Sequence, residues 1–189
     1  MPTLTPTLET DRLRLRPVRL SDAPAIQKLF PVWEVVRYLD PVVPWPYPDN
    51  GAGAYLERIL PEAEDGRRYT WAITLRQSPA DELIGIVELT PNNPTDHRGF
   101  WLGMPYHAHG YMSEAVFAVT DFAFDVLNMP ELLLNNAEPN IPSHRLKEKA
   151  GATIVAIASD VQFVGGKFRK VSWKLTRDQW RANRGVFRR

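Results

Sequence analysis

Charged and apolar residues alternate from Arg12 to Arg16, with Leu13 and Leu15 on one side of the chain and Pro17 closing the run. A period of two is that of a half-buried strand. Ser21 or Asp22 then stands where a helix N-cap belongs and opens a short helix to about Phe30. After a proline- and aromatic-rich connection, Asp49 or Asn50 opens a second helix over Ala54 to Leu60. Tyr69 to Leu75 and Leu83 to Leu89 predict a hairpin around the polar turn Gln77-Ser78-Pro79-Ala80-Asp81, and Gly99 to Leu102 a further strand. Ser113 to Val126 predicts a helix apolar on most of its circumference. Ala115, Val119, Phe122 and Val126 form its buried face, Phe117 and Phe124 flank that face, and Glu114, Thr120, Asp121 and Asp125 are the polar positions. Glu131 to Asn136 is a short apolar strand, Pro142 to Ala150 a helix stopped by Gly151, and Thr153 to Val161 with Lys167 to Leu175 a final pair around Gly165-Gly166. Thr176 and Gln179 have capping-box spacing for a last helical turn. This order predicts a mixed α/β or α+β sheet with helices packed on its faces.

Length and composition narrow the field. The 189 residues suit one domain, 44% hydrophobic and 24% charged, without repeats or low-complexity tracts. With 23 basic against 22 acidic residues the net charge is +1, so the global attraction that drives most nucleic-acid binding is missing and any anion site is local. The basic tail Arg177, Arg181, Arg184, Arg188 and Arg189 reads as a solvated end, with nucleic-acid binding the competing reading. No cysteine is present, which removes disulfides, thiolate metal sites and a cysteine nucleophile. The N-terminal stretch lacks the apolar core of a secretory signal, and no stretch approaches the ~20 apolar residues of a membrane span. A cytoplasmic protein without membrane association is the expectation.

His107-Ala108-His109-Gly110-Tyr111-Met112 lies between a predicted strand and the most apolar helix. Free N–H groups at a helix start, with the positive end of the helix dipole behind them, attract phosphate, and Gly110 permits close backbone approach. The alternative is a glycine that only allows a tight turn. His107 and His109 lack a cysteine or acidic cluster nearby in sequence, so they read as loop histidines and no metal site is expected.

Asn140-Ile141-Pro142-Ser143 followed by Glu148-Lys149-Ala150-Gly151 resembles, in type and spacing, the N-x-x-S…E-K-x-G signature of GNAT acetyltransferases in the RimJ/RimL-like branch. His107 to Met112, followed by Ser113-Glu114-Ala115, resembles that family's Q/R-x-x-G-x-G/A pyrophosphate loop and its T/S-E-A helix start. Two positions depart: His107 stands where Gln or Arg is usual, and Met112 where Gly or Ala is usual. Glu9 to Arg16 and Ser21-Asp22-Ala23 are similar to the branch's N-terminal pattern, so the resemblance spans nearly the whole chain.

The resemblance implies a GNAT fold: a mixed, mostly antiparallel sheet of about seven strands, splayed between the fourth and fifth, with helices on both faces. Here those strands are Gly99 to Leu102 and Glu131 to Asn136. It implies acetyl-CoA as acyl donor, with the pyrophosphate on His107, Ala108, His109, Gly110, Tyr111 and Met112, and the pantetheine arm held by backbone near Leu102 and by Asn140. A primary amine, such as a protein N-terminus or a small molecule, then attacks the thioester directly. Ser143 is the expected hydrogen-bond donor to the departing thiolate, or else an ordinary first-turn serine; Asn140 either bonds pantetheine or caps its helix. Glu88, late in its strand, is the expected general base, or a solvated strand-end carboxylate. Trp33, Trp45 and Tyr47 line the acceptor pocket, or else cover the core beneath a long loop. Two further readings stay open: a small-molecule amine acetyltransferase, and a non-catalytic acyl-CoA-binding module. Relatives in the family imply a monomer or a homodimer.

Overall fold

The computed structural model describes residues 4–184. The strands are β1 (Leu8–Glu9), β2 (Leu13–Pro17), β3 (Tyr69–Leu75), β4 (Leu83–Leu89), β5 (Arg98–Leu102), β6 (Glu131–Ala137), β7 (Thr153–Phe163) and β8 (Gly166–Thr176). The helices are α1 (Ala23–Leu29), α2 (Trp33–Val36), α3 (Gly51–Glu64), α4 (Tyr111–Asp121), α5 (Ile141–Ala150) and α6 (Arg177–Arg184). β1 to β5 form an antiparallel sheet in chain order, and β6, β8 and β7 a second antiparallel sheet in that order. The described residues hold eight strands rather than about seven, because the two-residue β1 pairs with β2 through Leu8 and Glu9.

The two sheets meet at one end of β5 and β6. His97 N–H donates to the Leu133 carbonyl and Leu133 N–H returns to His97 Nδ1, both at 2.8 Å, while Asn135 Nδ2 donates to Thr95 O. β5 and β6 belong to different sheets and share no ladder, so the two sheets part between them in a cleft, here termed the V. This is the splay the resemblance implies.

Alternating strand residues feed two cores. Leu13, Leu15, Trp71, Ile73, Val87, Leu89 and Leu102 pack with α4, α5 and the second sheet; Ala72 and Ile86 pack on the other face with α1 and α3. Arg16, expected among the solvated charges of β2, is buried: its Nη atoms make a bidentate pair with Asp22 at 2.7 and 2.9 Å and its Nε meets Asp81 at 2.7 Å. Asp22 is therefore committed to Arg16 and to Arg19 N–H, and gives α1 no side-chain cap.

α4 starts at Tyr111, two residues before the expected Ser113, and its continuation Phe122–Val126 is a π turn, with Leu127 N–H bonded to Phe122 O. The wider turn rotates the face: Phe124 is buried while Val126, expected inside, is 61% exposed. Thr120, expected to be solvated, is fully buried and accepts from Arg98 Nη1 at 2.9 Å. α6 carries the expected box, Thr176 N–H to Gln179 Oε1 and Gln179 N–H to Thr176 Oγ1, and runs two turns rather than one. From the basic tail, Arg184 pairs with Asp121 and Asp125 and Arg177 donates to Met129 O; Arg188 and Arg189 lie outside the described residues. Among the described residues no helix is long and apolar enough to cross a membrane.

Candidate functional site

At the open end of the V the chain leaves β5 and reaches the start of α4. Gly110 is the N-cap residue, at φ 78°, a left-handed conformation that side chains with a Cβ resist. Ala108 also has positive φ, 63°. Among the described residues no side chain caps α4, and its first-turn N–H groups have no acceptor within the helix. An uncapped helix start of this kind fits a phosphate group.

The loop is tied down from both sides. His107 Nε2 lies 2.8 Å from Leu102 O, and His109 Nδ1 lies 2.6 Å from His107 O. Arg12 Nη1 donates to His109 O at 2.9 Å, and the guanidinium stands 4.7 Å over the Tyr111 ring. Glu114 accepts from Arg12 N and Nε and from Thr10 Oγ1. Burial raises the pKa of Glu114, but these donors outweigh it and hold the carboxyl below its usual value.

Residues of a strand alternate in the neighbour they bond. Gly103 N–H goes to Ile84 O on β4, so the peptide groups of Leu102 and Phe100 face the V. Opposite them α5 begins. Asn140 is its N-cap, with Oδ1 accepting Ser143 N–H at 3.3 Å, which leaves the Nδ2 group available to a ligand. Ser143 is buried and its Oγ accepts from Lys147 Nζ at 2.7 Å.

Lys147 is a residue that the sequence reading passed over. It is 2% exposed, its Nζ lies 5.8 Å from the Phe100 ring centre, and it shares the α5–β5 interior with Arg98 and Asp96. Burial, with Arg98 adding repulsion and Asp96 opposing it, lowers its pKa to about 7. Burial likewise pushes Asp96 up to about 6 and Arg98 down to about 10. The one signal available in the sequence was spacing: position 147 is one turn beyond Ser143 and on the same helix face.

Glu88 lies on the other face of the first sheet, toward α3. Its Oε2 accepts from Arg68 Nη1 at 2.7 Å and from Tyr55 Oη at 3.3 Å, and Arg68 also donates to Glu62. The carboxylate covers Gly99 on β5, where a Cβ would stand 2.8 Å from Oε1. Burial, then the Glu88 charge, raises the Tyr55 pKa well above its ordinary value; burial opposes the Arg68 charge, but Glu88 and Glu62 more than restore it.

The aromatic residues divide. Trp33 and Trp45 are 41% and 43% exposed, with rings 5.5 Å apart. Tyr47 packs edge-on to Phe30 at 5.1 Å and joins the α1–α3 core. The β7–β8 hairpin closes this side: Val164 and Gly165 N–H donate to Leu39 and Arg37 carbonyls. Among the described residues no group of three or more His, Cys, Asp or Glu is placed to hold a metal ion.

Residues 12–153 match the family model described as an acetyltransferase (GNAT) domain, three quarters of the chain. The chain belongs to the GNAT acetyltransferase family. It is an acyl-CoA-dependent acetyltransferase. It is 28% identical over 144 residues to an uncharacterized N-acetyltransferase, p20, of Bacillus licheniformis, covering 74% of this chain and 78% of that one. Among solved structures it resembles the alpha-N-protein acetyltransferase RimL in complex with coenzyme A (TM-score 0.76, 17% identity, 92% of this chain and 99% of that one). It also resembles spermidine N-acetyltransferase from Vibrio cholerae with CoA and spermine (TM-score 0.74, 18% identity, 90% and 99%). These GNAT folds share the overall architecture described above.

Proposed function

We propose that the protein transfers the acetyl group of acetyl-CoA directly to a primary amine, with a protein N-terminus as acceptor. The observation that carries this reading is the uncapped start of α4 at Gly110, set at the mouth of a V whose walls present the Leu102 and Phe100 peptide groups on one side and Asn140 and Ser143 on the other. The helix start takes the pyrophosphate, with Ala108 to Met112 supplying backbone N–H groups, and His107 braces the loop. The β5 edge and the free Nδ2 of Asn140 take the pantetheine amides. Ser143 Oγ–H donates to the sulfur as the C–S bond breaks.

An α-amino group has a pKa of about 8, so its proton must be removed for it to attack at neutral pH. Glu88 accepts that proton, directly or through water, from the face where Trp33 and Trp45 flank the acceptor. Glu62 and Glu88, beside Arg68 and Arg58, offer carboxylates to a cationic amine, and a small polyamine is a second reading of the acceptor. The similarity to RimL supports the first acceptor and that to spermidine N-acetyltransferase the second. A cytoplasmic enzyme, monomeric or homodimeric, fits the cysteine-free composition.

Calorimetric titration with acetyl-CoA, then thiol release with N-terminal peptides and polyamines, tests the reading. Micromolar binding with amine-dependent release is expected. Binding without release would make the protein an acyl-CoA-binding module, and no binding would overturn the proposal.

A further inference from the structure

The described residues bury one lysine almost completely, and it stands behind the serine proposed to meet the leaving group. A serine hydroxyl has one hydrogen to donate and two lone pairs. With Lys147 Nζ donating to Oγ at 2.7 Å, the lysine occupies an acceptor position and leaves the Ser143 hydrogen free to point elsewhere. The same Nζ is only 3.5 Å from Ser143 O, so the ammonium is folded back over its own helix turn. Phe100, on the wall of the V, lies beneath it at 5.8 Å. Burying a lysine is expensive, and an apolar residue of similar length would fill this site at less cost.

We propose that Lys147 is the positioning residue and proton reserve of Ser143, so that the pair protonates the thiolate leaving group. This rests on the acyl transfer proposed above. As the amine lone pair forms the C–N bond, the C–S electron pair goes to sulfur. The sulfur takes the Ser143 Oγ proton, and Ser143 takes one from Lys147 Nζ. Lys147 is left as a neutral amine and regains its proton from solvent after the products depart, while the excess proton of the acceptor nitrogen leaves by Glu88 or water. The charged groups facing Nζ are Arg98 and Asp96 of the β5 side; Arg98 keeps Nε and Nη2 without a protein partner and Asp96 keeps Oδ1 likewise, so neither quenches Lys147 by direct contact. A burial-lowered lysine pKa of about 7 lies below the ~8.5 of an ordinary thiol, so transfer to the thiolate runs downhill.

The test compares wild type, Ser143→Ala, Lys147→Met, Lys147→Arg and the Ser143→Ala/Lys147→Met double variant. Expected are a loss of kcat of about 100-fold in Lys147→Met with an acetyl-CoA KM within about threefold, little recovery in Lys147→Arg, whose guanidinium can hold Ser143 but keeps its proton, and a double variant no slower than the worse single one. Wild type should lose rate as pH rises above about 7, when Lys147 deprotonates, and Lys147→Met should lack that falling limb. Unchanged kcat in Lys147→Met, or multiplicative losses in the double variant, would overturn the proposal. The Nζ resonance of Lys147, followed by NMR against pH in free protein, is independent of turnover. A midpoint near 7 that moves in Ser143→Ala supports the pair, whereas a midpoint near the ordinary lysine value sinks it. A wild type without amine-dependent thiol release, but with the shifted midpoint, refutes the acyl-transfer reading alone.

Discussion

Arg12 Nε and Glu114 Oε2 stand 2.7 Å apart, joining the first turn of α4 to the segment that leads into β2. The same guanidinium donates to His109 O, so one side chain holds both the helix and the loop before it. Arg12 is half exposed, which limits its worth to stability, but it fixes the backbone that the proposed phosphate site uses. Arg12→Ala should weaken acetyl-CoA binding roughly tenfold, consistent with loss of charge-assisted bonds worth about 1.5 kcal/mol. Calorimetry checks it; an unchanged Kd would mean the loop keeps its shape without Arg12.

Gly110 is the narrower probe. At φ 78° a β-branched side chain is strained by about 1–2 kcal/mol, whereas asparagine tolerates the conformation. Gly110→Val should therefore weaken CoA binding severalfold or more, and Gly110→Asn should stay much closer to wild type. Equal affinities for both variants and wild type would remove the helix start from the binding site.

Much of this arrangement is readable in the chain. Gly110 stands at the start of the most apolar helix, and Asn140 caps α5 three residues before Ser143, because local motifs carry both turns. The splay is different: it follows from His97 and Leu133 bonding each other, 36 residues apart, and no local pattern reports that. Lys147 is hidden for a related reason. A lysine within His144-Arg145-Leu146-Lys147-Glu148-Lys149 reads as one more solvated charge until the packing of α5 on β5 is known. β1 is too short to show a period, and the π turn after α4 breaks the 3.6-residue repeat that had put Val126 inside.

Glu88 has its carboxylate anchored by Arg68 and Tyr55 on the α3 side of the sheet. If it receives the amine proton, Glu88→Gln should lower kcat about 100-fold near neutral pH, with the deficit shrinking toward pH 9 as the amine deprotonates unaided. A pH-independent deficit would assign Glu88 to holding Arg68 instead. Thiol release measured across that range, with CoA affinity as control, separates the two.

Lys147 also sets a stability signature. Its folded-state pKa is lowered to about 7, against about 10.4 in an unfolded chain, so between these values the unfolded state binds more protons. Stability contributed through this group therefore rises as pH increases from about 7 toward 10, and below 7 the folded protein bears the full burden of a buried ammonium. Lys147→Met removes that burden. The variant should be more stable than wild type at pH 6, by about 1–4 kcal/mol in denaturant unfolding, with the gap closing toward pH 10. A variant less stable than wild type at pH 6 would show that the ammonium, held by Ser143 Oγ and near Asp96, contributes net stability, and its burial would then need no catalytic explanation.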